Sequence, residues 1–240
     1  MWILRKKGSI TAKKLGKLLN CRVKRYTLPR HRHFIINYGT DYRLADLNKN
    51  VILDKLLQLK ILEQNGILIP KIFYKNDLIN DEDFPLLARK HYHSRGRDII
   101  YIQNREELNR IPKSRYDYLV KYIPKVSEYR VHILGDYRVI VNVKFKDEEN
   151  ADPIVRCLDN GWRQINYERK YYDELVELAR KVIKILNYDF GAVDIIRYKR
   201  KLYVLEVNSA PGLEKKKRLI YSDYFRDVER RWKEVIIERR

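Results

Sequence analysis

A period-of-two alternation of apolar residues constrains the fold of this chain more than any other feature. Between residues 129 and 145, apolar side chains recur at every second position on both sides of Gly135-Asp136. Such alternation is typical of strands with one buried face. Glycine at the first position of a two-residue loop favours a type II′ turn, which suits the twist of paired strands. We therefore predict an antiparallel hairpin, closed by a two-residue loop at Gly135-Asp136.

Helical and strand patterns alternate elsewhere, so we predict an α+β fold. A helix pattern runs from Asn50 to Asn65-Gly66, and further helices are predicted over 173–186, capped by Asp173, and from about Ser222. A second hairpin is predicted over 190–208. Strand patterns at 2–4 and 34–37 flank a helix pattern after Gly8-Ser9, which predicts a short β-α-β unit. Further strand patterns lie at 72–74, 86–89, 98–102 and 118–123.

Positive charge is concentrated at the start of the chain. The sequence has 52 Lys and Arg against 32 Asp and Glu, and its first 40 residues contain 11 basic residues and no acid. Such a field attracts an anionic partner without specifying which one, and a solvated basic surface is the other interpretation. No apolar run approaches the ~20 residues of a membrane span, so no membrane partner is expected. Cys21 and Cys157 match no metal or redox spacing, which favours a cytoplasmic protein.

The second predicted hairpin carries oxygen side chains that could meet on one face. Glu206 and Asn208 are two residues apart, so both lie on the same face of their strand. With an odd loop such as 199–201, Asp194 on the partner strand faces Glu206. An even loop would pair Asp194 with Leu205 and place it on the opposite face. Three converging oxygens suit Mg²⁺, and exposed ion pairs with neighbouring Lys or Arg are the alternative.

The segments Phe190-Gly191-Ala192-Val193-Asp194 and Leu205-Glu206-Val207-Asn208-Ser209-Ala210-Pro211-Gly212 resemble the metal-binding end of the ATP-grasp superfamily. The similarity is greatest to the branch that adds glutamate to the tail of a ribosomal protein. It spans roughly 47–212 in the family's order. Asp54-Lys55 resembles the family's opening helix, 85–99 its phosphate strand and loop, 119–123 its adenine hinge, and 128–131 its ribose-binding strand.

The resemblance implies three sets of site residues. The metal ligands, for Mg²⁺ or Mn²⁺, would be Asp194, Glu206 and Asn208. The ATP contacts would be Lys55, Arg89, Gly96, Lys121, Tyr122, Ile123 and Glu128. The catalytic positions would be Arg130, Arg156 and Gly212. Two departures from the family stand out, since Arg89 replaces a frequent lysine and the phosphate loop has one glycine, which Arg95 and Arg97 would compensate.

The resemblance also implies an architecture and an activity. Residues 1–46 would form a truncated basic β-α-β unit before an ATP-grasp domain at 47–240, whose two α+β subdomains grip ATP. The small ATP-covering subdomain would lie at about 70–123 and the large metal-binding one at about 124–240. The activity implied is an ATP- and Mg²⁺-dependent carboxylate-amine ligase that forms an acyl phosphate on an anionic or peptide substrate. The alternatives are a kinase of a small anionic substrate and, less favoured, a basic nucleic-acid-binding protein.

Overall fold

The computed structural model describes residues 1–25, 33–92 and 99–238. It mixes helices with strands in three sheets, which confirms the α+β class. The strands are β1 Trp2–Arg5, β2 Arg22–Lys24, β3 Ile35–Tyr38, β4 Ile72–Phe73, β5 Leu86–Arg89, β6 Ile100–Ile102, β7 Tyr118–Lys121, β8 Ser127–Leu134, β9 Arg138–Lys146, β10 Trp162–Asn166, β11 Phe190–Tyr198 and β12 Lys201–Asn208. The α-helices are α1 Ile10–Leu18, α2 Lys55–Gln64, α3 Arg105–Arg110, α4 Tyr172–Ile185 and α5 Lys215–Glu238.

The N-terminal unit is a parallel sheet of order β2-β1-β3 with α1 after β1. Ser9 caps α1, because its hydroxyl accepts the Ala12 N–H at 3.3 Å. The predicted β-α-β unit is therefore present. It is larger than predicted, since β2 was missed. That strand has a single apolar residue, Val23, between two exposed basic ones, and so gives no pattern of alternation.

The second sheet has the order β4-β7-β5-β6 and is antiparallel throughout. Its buried side chains, including Phe73, Leu86, Ile102 and Leu119, form a small core of their own. The strands begin and end close to the predicted boundaries, because each is a short apolar run between polar residues. The loop after β5 contains residues 93–98, which lie outside the described residues.

The largest sheet is antiparallel, with the order β10-β9-β8-β11-β12. One of its faces packs on α4 and α2, with Tyr129, Val131 and Ile133 in the same core as helix residues such as Leu59 and Val182. The opposite face carries the polar alternate residues of β8 and β11. The sequence pattern did not predict β10, whose side chains are half-buried or exposed at every position.

The loop of the first hairpin differs from its prediction. Leu134 pairs with Arg138, so three residues lie between the paired positions instead of two. Gly135 has a φ of +57°, as a turn glycine should, but its N–H donates to the carbonyl of Asp189 at 2.9 Å. The turn is thus tied to the start of β11 rather than closed on itself.

Three helix ends also differ from their predictions. α2 begins at Lys55 rather than near Asn50, because the Asp54 carboxylate accepts the N–H groups of Leu56 and Leu57 and so caps the helix. Tyr171, not Asp173, is the residue before α4, and it has a φ of +71°. α5 begins at Lys215, seven residues before the predicted start. Its first two turns are mostly polar, so they give no apolar pattern from which the helix start could be predicted.

The N-terminal unit shares an aromatic core with α5 and the large sheet, which includes Phe34, Tyr38, Phe190 and Phe225. The Tyr38 hydroxyl donates to the carbonyl of Pro211 at 2.6 Å. A domain boundary at residue 46 stays a prediction, since buried side chains from both sides of it lie in this one cluster. Among the described residues, no helix combines the length and apolarity needed to cross a membrane.

Candidate active site

A β-bulge brings the predicted carboxylates onto one face of the large sheet. The β11–β12 loop holds two residues, Lys199 and Arg200, both with positive φ, so of the two alternatives the even loop is the one present. With that short loop and a regular register, Asp194 would face Leu205. Instead Ile195 pairs with Val204 and Asp194 with Glu206, which leaves Leu205 as the extra residue. A one-residue shift moves every later side chain to the other face, and this shift returns Glu206 to the face of Asp194.

The outer edge of β12 is held where the bulge lies. Its Val204 N–H donates to the carbonyl of Leu68 at 2.9 Å, and its Val207 N–H donates to the Gln58 side chain at 3.2 Å. An edge strand otherwise presents unpaired backbone groups. α2 and the segment after it therefore fix the strand that carries Glu206 and Asn208.

A row of polar residues crosses the middle of this face. Arg130 of β8 lies opposite Asp194 on one side and opposite Asn142 of β9 on the other. Arg130 binds Asp194 through two hydrogen bonds, from Nε and Nη2, each of 2.6 Å. This paired geometry is the one in which arginine binds a carboxylate most strongly. Asp194 is 4% exposed, so the pair is shielded from solvent.

The small sheet contributes a second cation to the same cluster. Arg89, at the end of β5, places Nη2 3.4 Å from Glu206 Oε2. The other oxygen, Glu206 Oε1, accepts a hydrogen bond from Asn208 Nδ2 at 2.9 Å. Arg89 is buried and Glu206 half-buried. The contact therefore joins the two sheets that the resemblance assigns to the two subdomains.

Lys55, the first residue of α2, completes the cluster. Its ammonium group donates to the carbonyl of Val207 at 2.6 Å and lies 3.5 Å from Asn208 Oδ1. Burial lowers the pKa of Lys55, while the charges of Glu206 and Asp194 oppose that shift. Arg89 and Lys6 also lower it, so Lys6 of the N-terminal unit is within electrostatic range.

The start of α2 is attached to the small sheet through His91. Its Nδ1 lies 3.0 Å from Asp54 Oδ1, and its carbonyl accepts the Lys55 N–H at 3.3 Å. Burial would raise the pKa of Asp54, but the hydrogen bonds from His91 and the helix N–H groups lower it overall. The position of Lys55 thus depends on contacts from both sheets.

Glu128 lies in a separate buried cluster on the same face. Its carboxylate pairs with Lys125, with 3.1 Å between Nζ and Oε2, and with Lys144 through Oε1. Burial would raise its pKa, but the two lysines hold it below the usual carboxyl value. Neither lysine was predicted. Continued by one residue, the register that pairs Tyr129 with Val143 sets Glu128 opposite Lys144. The two-residue loop of the prediction would instead have set Glu128 opposite Val143, so the predicted register could not indicate Lys144.

Arg156 is placed with Glu128 and not with Arg130. Its guanidinium donates to the carbonyl of Lys125 at 3.1 Å and lies 4.4 Å from the centre of the Trp162 ring. Burial lowers its pKa, and the charge of Glu128 opposes the shift. The catalytic role at the reacting groups stays a prediction. The contacts described here favour the Glu128 end of the site.

The predicted hinge, residues 119–123, comprises the end of β7 and the two residues after it. The Lys121 N–H donates to Lys71 O at 2.8 Å and the Tyr122 N–H donates to Pro85 O at 2.9 Å. The Lys121 ammonium donates to the carbonyls of Glu82 and Phe84, each at 2.7 Å. Within the described part of the chain, the backbone of Ile123 has no hydrogen-bond partner. Of the three residues, Ile123 is therefore best able to offer its backbone to a ligand.

Of the two glycines predicted to lie in the site, Gly212 is among the described residues and Gly96 is not. Gly212 is exposed, and a Cβ added to it would meet nothing within 4 Å. The fold therefore does not require glycine there. Gly96, together with Arg95 and Arg97, lies outside the described residues.

The donor set fits a hard divalent cation. Among the described residues there is no group of three or more His, Cys, Asp and Glu suited to a metal. The candidate ligands are two carboxylates and one amide, all oxygen donors on one sheet face, as Mg²⁺ prefers. Arg130, Arg89 and Lys55 now lie against those oxygens. Each candidate ligand therefore already has a cationic side chain of the chain itself against its oxygens.

Comparison with known proteins gives a family and a fold. A family model described as the RimK-like ATP-grasp domain matches residues 47–227. The chain is 27% identical over 183 residues to a probable alpha-L-glutamate ligase of Histophilus somni, covering 67% of this chain and 56% of the relative. The chain therefore spans about half the length of the curated relatives it matches.

Solved structures share the fold. A D-alanine–D-alanine ligase from Bacillus anthracis has a TM-score of 0.65 and 18% identity, covering 90% of this chain and 88% of the other. A structure of that ligase complexed with ATP has a TM-score of 0.64 and 18% identity, with coverages of 90% and 87%. At this identity the likeness shows the fold alone. The ATP-grasp fold expected from the sequence is confirmed.

Proposed function

Because the chain belongs to the RimK-like ATP-grasp family, we propose that it is an ATP-dependent ligase that joins a carboxylate to an amine. The observation that carries the proposal is the row Arg130–Asp194–Glu206, with Arg89 and Lys55 against the same carboxylates. Three buried or half-buried cations around two acids leave net positive charge, which suits a triphosphate. The relative named above as a probable alpha-L-glutamate ligase makes L-glutamate the first substrate to test.

Different residues would bind Mg²⁺ and the separate parts of ATP. Asp194, Glu206 and Asn208 would hold the metal, which neutralises phosphate charge when it is bound. Lys55 and Arg89 would contact phosphate oxygens, and the loop with Gly96 would cover them. The adenine would lie against Lys121, Tyr122 and Ile123. Glu128 would accept the ribose hydroxyls, and Lys125 and Lys144 keep that carboxylate ionised.

The reaction we propose has two transfers. A substrate carboxylate oxygen attacks the γ-phosphorus of ATP, the bond from that phosphorus to the bridging oxygen breaks, and ADP leaves. The acyl phosphate formed is attacked by an amine nitrogen, which loses a proton as phosphate departs and the amide forms. Arg130 would stabilise the charge that develops on the transferred phosphoryl group. Neither step needs a covalent nucleophile on the protein.

ADP release is the direct test. The full chain, with ATP and Mg²⁺, is supplied with L-glutamate, other amino acids and short acidic peptides, singly and in pairs, and the product is identified by mass spectrometry. We expect ADP release that requires both a carboxylate and an amine, with a product mass equal to the two substrates minus water. ADP release with a phosphorylated product and no amine requirement would instead identify a kinase.

The substrate is proposed to be acidic or peptidic. The three lysines of α1 lie in a segment without acids, and all three are exposed: Lys13, Lys14 and Lys17. The start of α1 is close to the site, because Leu213 N–H approaches the Thr11 hydroxyl at 3.4 Å. A positive surface beside the site would raise the local concentration of an acidic substrate. Nucleic acid is the less favoured partner.

A further inference from the structure

Lys217 is a buried cation that the reaction proposed above does not use. It lies in the first turn of α5 and is 6% exposed. Its ammonium group donates to Gln164 Oε1 of β10 at 3.2 Å. In the described part of the chain, the one carboxylate within 4.0 Å is that of Glu214, whose side chain is 72% exposed. A solvated acid at that distance compensates a buried charge poorly.

The nearest charge of the main cluster has the same sign as Lys217. Burial lowers the pKa of Lys217, Glu214 opposes that shift, and Arg130 lowers it further. Burying an ammonium group is destabilising unless the group is paired. Arg130 is already paired with Asp194, so the buried charge without a close counter-charge is that of Lys217. Such a charge is suited to an anion that arrives from outside the chain.

Two buried polar atoms on the same face of the large sheet have no partner among the described residues, and one of them belongs to His132, which is within electrostatic range of Lys217. The two atoms are Oδ1 of Asn142 and Nε2 of His132. Asn142 lies opposite Arg130 in the sheet and donates from Nδ2 to Asn166 at 3.1 Å. His132 follows Arg130 on the same face of β8, and its Nδ1 lies 3.0 Å from the Tyr221 hydroxyl. Buried polar atoms are nearly always paired. Asn142 Oδ1 can only accept a hydrogen bond, whereas His132 Nε2 can donate one when Nδ1 accepts from Tyr221, so His132 and Lys217 can together serve an anion.

A carboxylate bound at Lys217 would lie apart from the carboxylate that is phosphorylated. Gln164 is on β10, and Asp194 is on β11, three strands away in the order β10-β9-β8-β11. Neighbouring strands are about 4.8 Å apart, so the two positions are separated by more than a single carboxylate can span. A carboxylate at Lys217 is therefore not the one phosphorylated beside Asp194.

We propose that Lys217, with Gln164 and His132, binds a non-reacting carboxylate of an amino-acid or peptide substrate. This inference rests on the ligase function proposed above. It predicts selection for substrates that keep a free carboxylate next to the group being joined. Lys217 makes no contact with ATP in this arrangement, so it determines specificity without taking part in phosphoryl transfer.

The kinetic test compares L-glutamate with its two monoamides, isoglutamine and glutamine. We expect native chain to prefer the free acid to at least one monoamide, and Lys217→Gln to raise KM for the free acid at least tenfold with KM for ATP within twofold. Lys217→Arg, which keeps the charge, should recover part of the preference. Lys216→Gln, an exposed neighbour on α5, is the control and should behave as native. A Lys217→Gln chain that keeps the native preference overturns the inference.

A binding measurement separates this inference from the ligase proposal. L-glutamate, L-aspartate, triglutamate and acetate are titrated into the full chain without ATP and followed by ligand-observed NMR. Binding that is lost in Lys217→Gln supports the inference even if native chain forms no amide product. If native chain binds none of these carboxylates better than Lys217→Gln does, the inference is wrong whatever the ligase assay shows.

Thermal unfolding distinguishes binding from a structural role. If Lys217 is kept for a ligand, removing its charge relieves an uncompensated cation, so Lys217→Gln should keep or raise the native Tm. If Lys217 instead anchors α5 to β10 through Gln164, the Tm should fall by several degrees. That fall, without a change in carboxylate binding, would overturn the inference.

Discussion

Glu206 sits between a cation from one sheet and an amide from its own strand, and this position makes it the most informative single residue. We expect Glu206→Gln to reduce ADP release at least a hundredfold, because an amide cannot supply the charge that a metal ion needs. The side chain is 20% exposed, so the fold should survive the change. Steady-state ADP release and far-UV circular dichroism measure the two effects. Glu177→Gln, which removes an exposed acid of α4, is the control.

If Glu206→Gln turns over ATP at the native rate, the assignment of Asp194, Glu206 and Asn208 as metal ligands is wrong. Loss of circular dichroism in the variant would make the activity result uninformative, so Glu206→Asp is measured alongside. That variant keeps the negative charge on a shorter side chain. It should retain part of the activity if a metal ion is bound.

Glu128 affects stability as well as the site, because it neutralises two buried lysines. We expect Glu128→Gln to destabilise the chain by about 3–5 kcal/mol, the usual result of removing one partner of a buried ion pair. Urea unfolding without ATP at pH 7 measures the loss. Glu148→Gln, an exposed acid, should change the unfolding free energy little. A loss below 1 kcal/mol would contradict the ion-pair geometry.

The same residue gives a pH dependence of known sign. The pKa of Glu128 is lowered in the folded chain, although burial alone would raise it, because Lys144 and Lys125 favour the ionised form. Its contribution to stability is therefore full above the unfolded carboxyl pKa of about 4.3 and is lost as the pH falls through the lower folded value. The difference in unfolding free energy between native chain and Glu128→Gln should shrink between pH 5 and about pH 2.

At the level of single residues, strand alternation was enough to predict that Glu206 and Asn208 share a face. It could not show that Asp194 is already bound by Arg130, since that contact depends on the order of β8 and β11 in the sheet. Lys217 was missed because α5 was predicted from its apolar face, which starts later. A lysine-rich first turn without apolar spacing gives no helix signal.

At the level of elements, the start of α2 sets the position of Lys55. We expect Asp54→Ala to lose about 1 kcal/mol of stability, the usual value of an N-cap, and to raise KM for ATP several-fold. The cap loses two backbone hydrogen bonds and the contact with His91 at 3.0 Å. Chemical unfolding and ADP-release kinetics measure the two effects. Glu63→Ala, on the exposed face of the same helix, should leave both near native.

An Asp54→Asn variant separates the two roles. Asparagine still caps a helix but carries no charge toward His91. Stability close to native with a raised KM for ATP would support the positioning of Lys55 through His91. A native KM in both Asp54 variants would contradict it.

The hairpins show where element prediction succeeds and where it fails. The alternation of residues 129–145 and 190–208 predicted four strands, and all four are present. The loop of the first hairpin is longer than predicted, and the loop of the second has the even length that alone would have put Asp194 opposite Leu205. The facing of Asp194 and Glu206 was nevertheless right, because the bulge at Leu205 shifts the register by the residue that the loop lacks. Bulges leave no sequence pattern of their own when the inserted residue is apolar.

At the level of the whole molecule, Gly39 connects the N-terminal unit to the site. It has a φ of +78°, and a Cβ on it would lie 2.7 Å from Cβ of Ala210, two residues after Asn208. We expect Gly39→Ala to lower the free energy of unfolding by more than the strain of a positive φ would alone. We also expect it to reduce ADP release. Gly8→Ala is a matched control, because Gly8 also has a φ of +78° but nothing within 4 Å of the added atom. Thermal unfolding and ADP release of the two variants compare the effects.

Equal losses in Gly39→Ala and Gly8→Ala would show that the contact with Ala210 does not matter. A larger loss in Gly39→Ala would show that the N-terminal unit is packed directly on the loop after the candidate metal ligands. The sequence could not predict this packing, because no pattern in residues 1–46 indicates which surface they cover. The aromatic cluster of Phe34, Tyr38 and Phe190 is assembled from distant parts of the chain.

The basic surface is tested by charge reversal. We expect Lys13→Glu, Lys14→Glu and Lys17→Glu together to raise KM for an acidic substrate several-fold, with the effect weakening as salt is added. KM for ATP should not change, since these lysines are exposed and lie outside the carboxylate cluster. An unchanged KM for the acidic substrate would contradict a role for the segment in binding it. Lys181→Glu, an exposed lysine of α4, is the control.

The pairing of Arg130 with Asp194 has a thermodynamic consequence. A metal ion that binds Asp194 must displace a guanidinium group held by two hydrogen bonds, and the displaced group then lacks a counter-charge. A phosphate supplies that counter-charge, so each ligand removes the obstacle that the other meets. Linkage requires the effect to be equal in both directions: the factor by which nucleotide tightens the metal is the factor by which metal tightens the nucleotide. On the proposed assignment, the chain would therefore exchange its internal ion pairs for nucleotide and metal together.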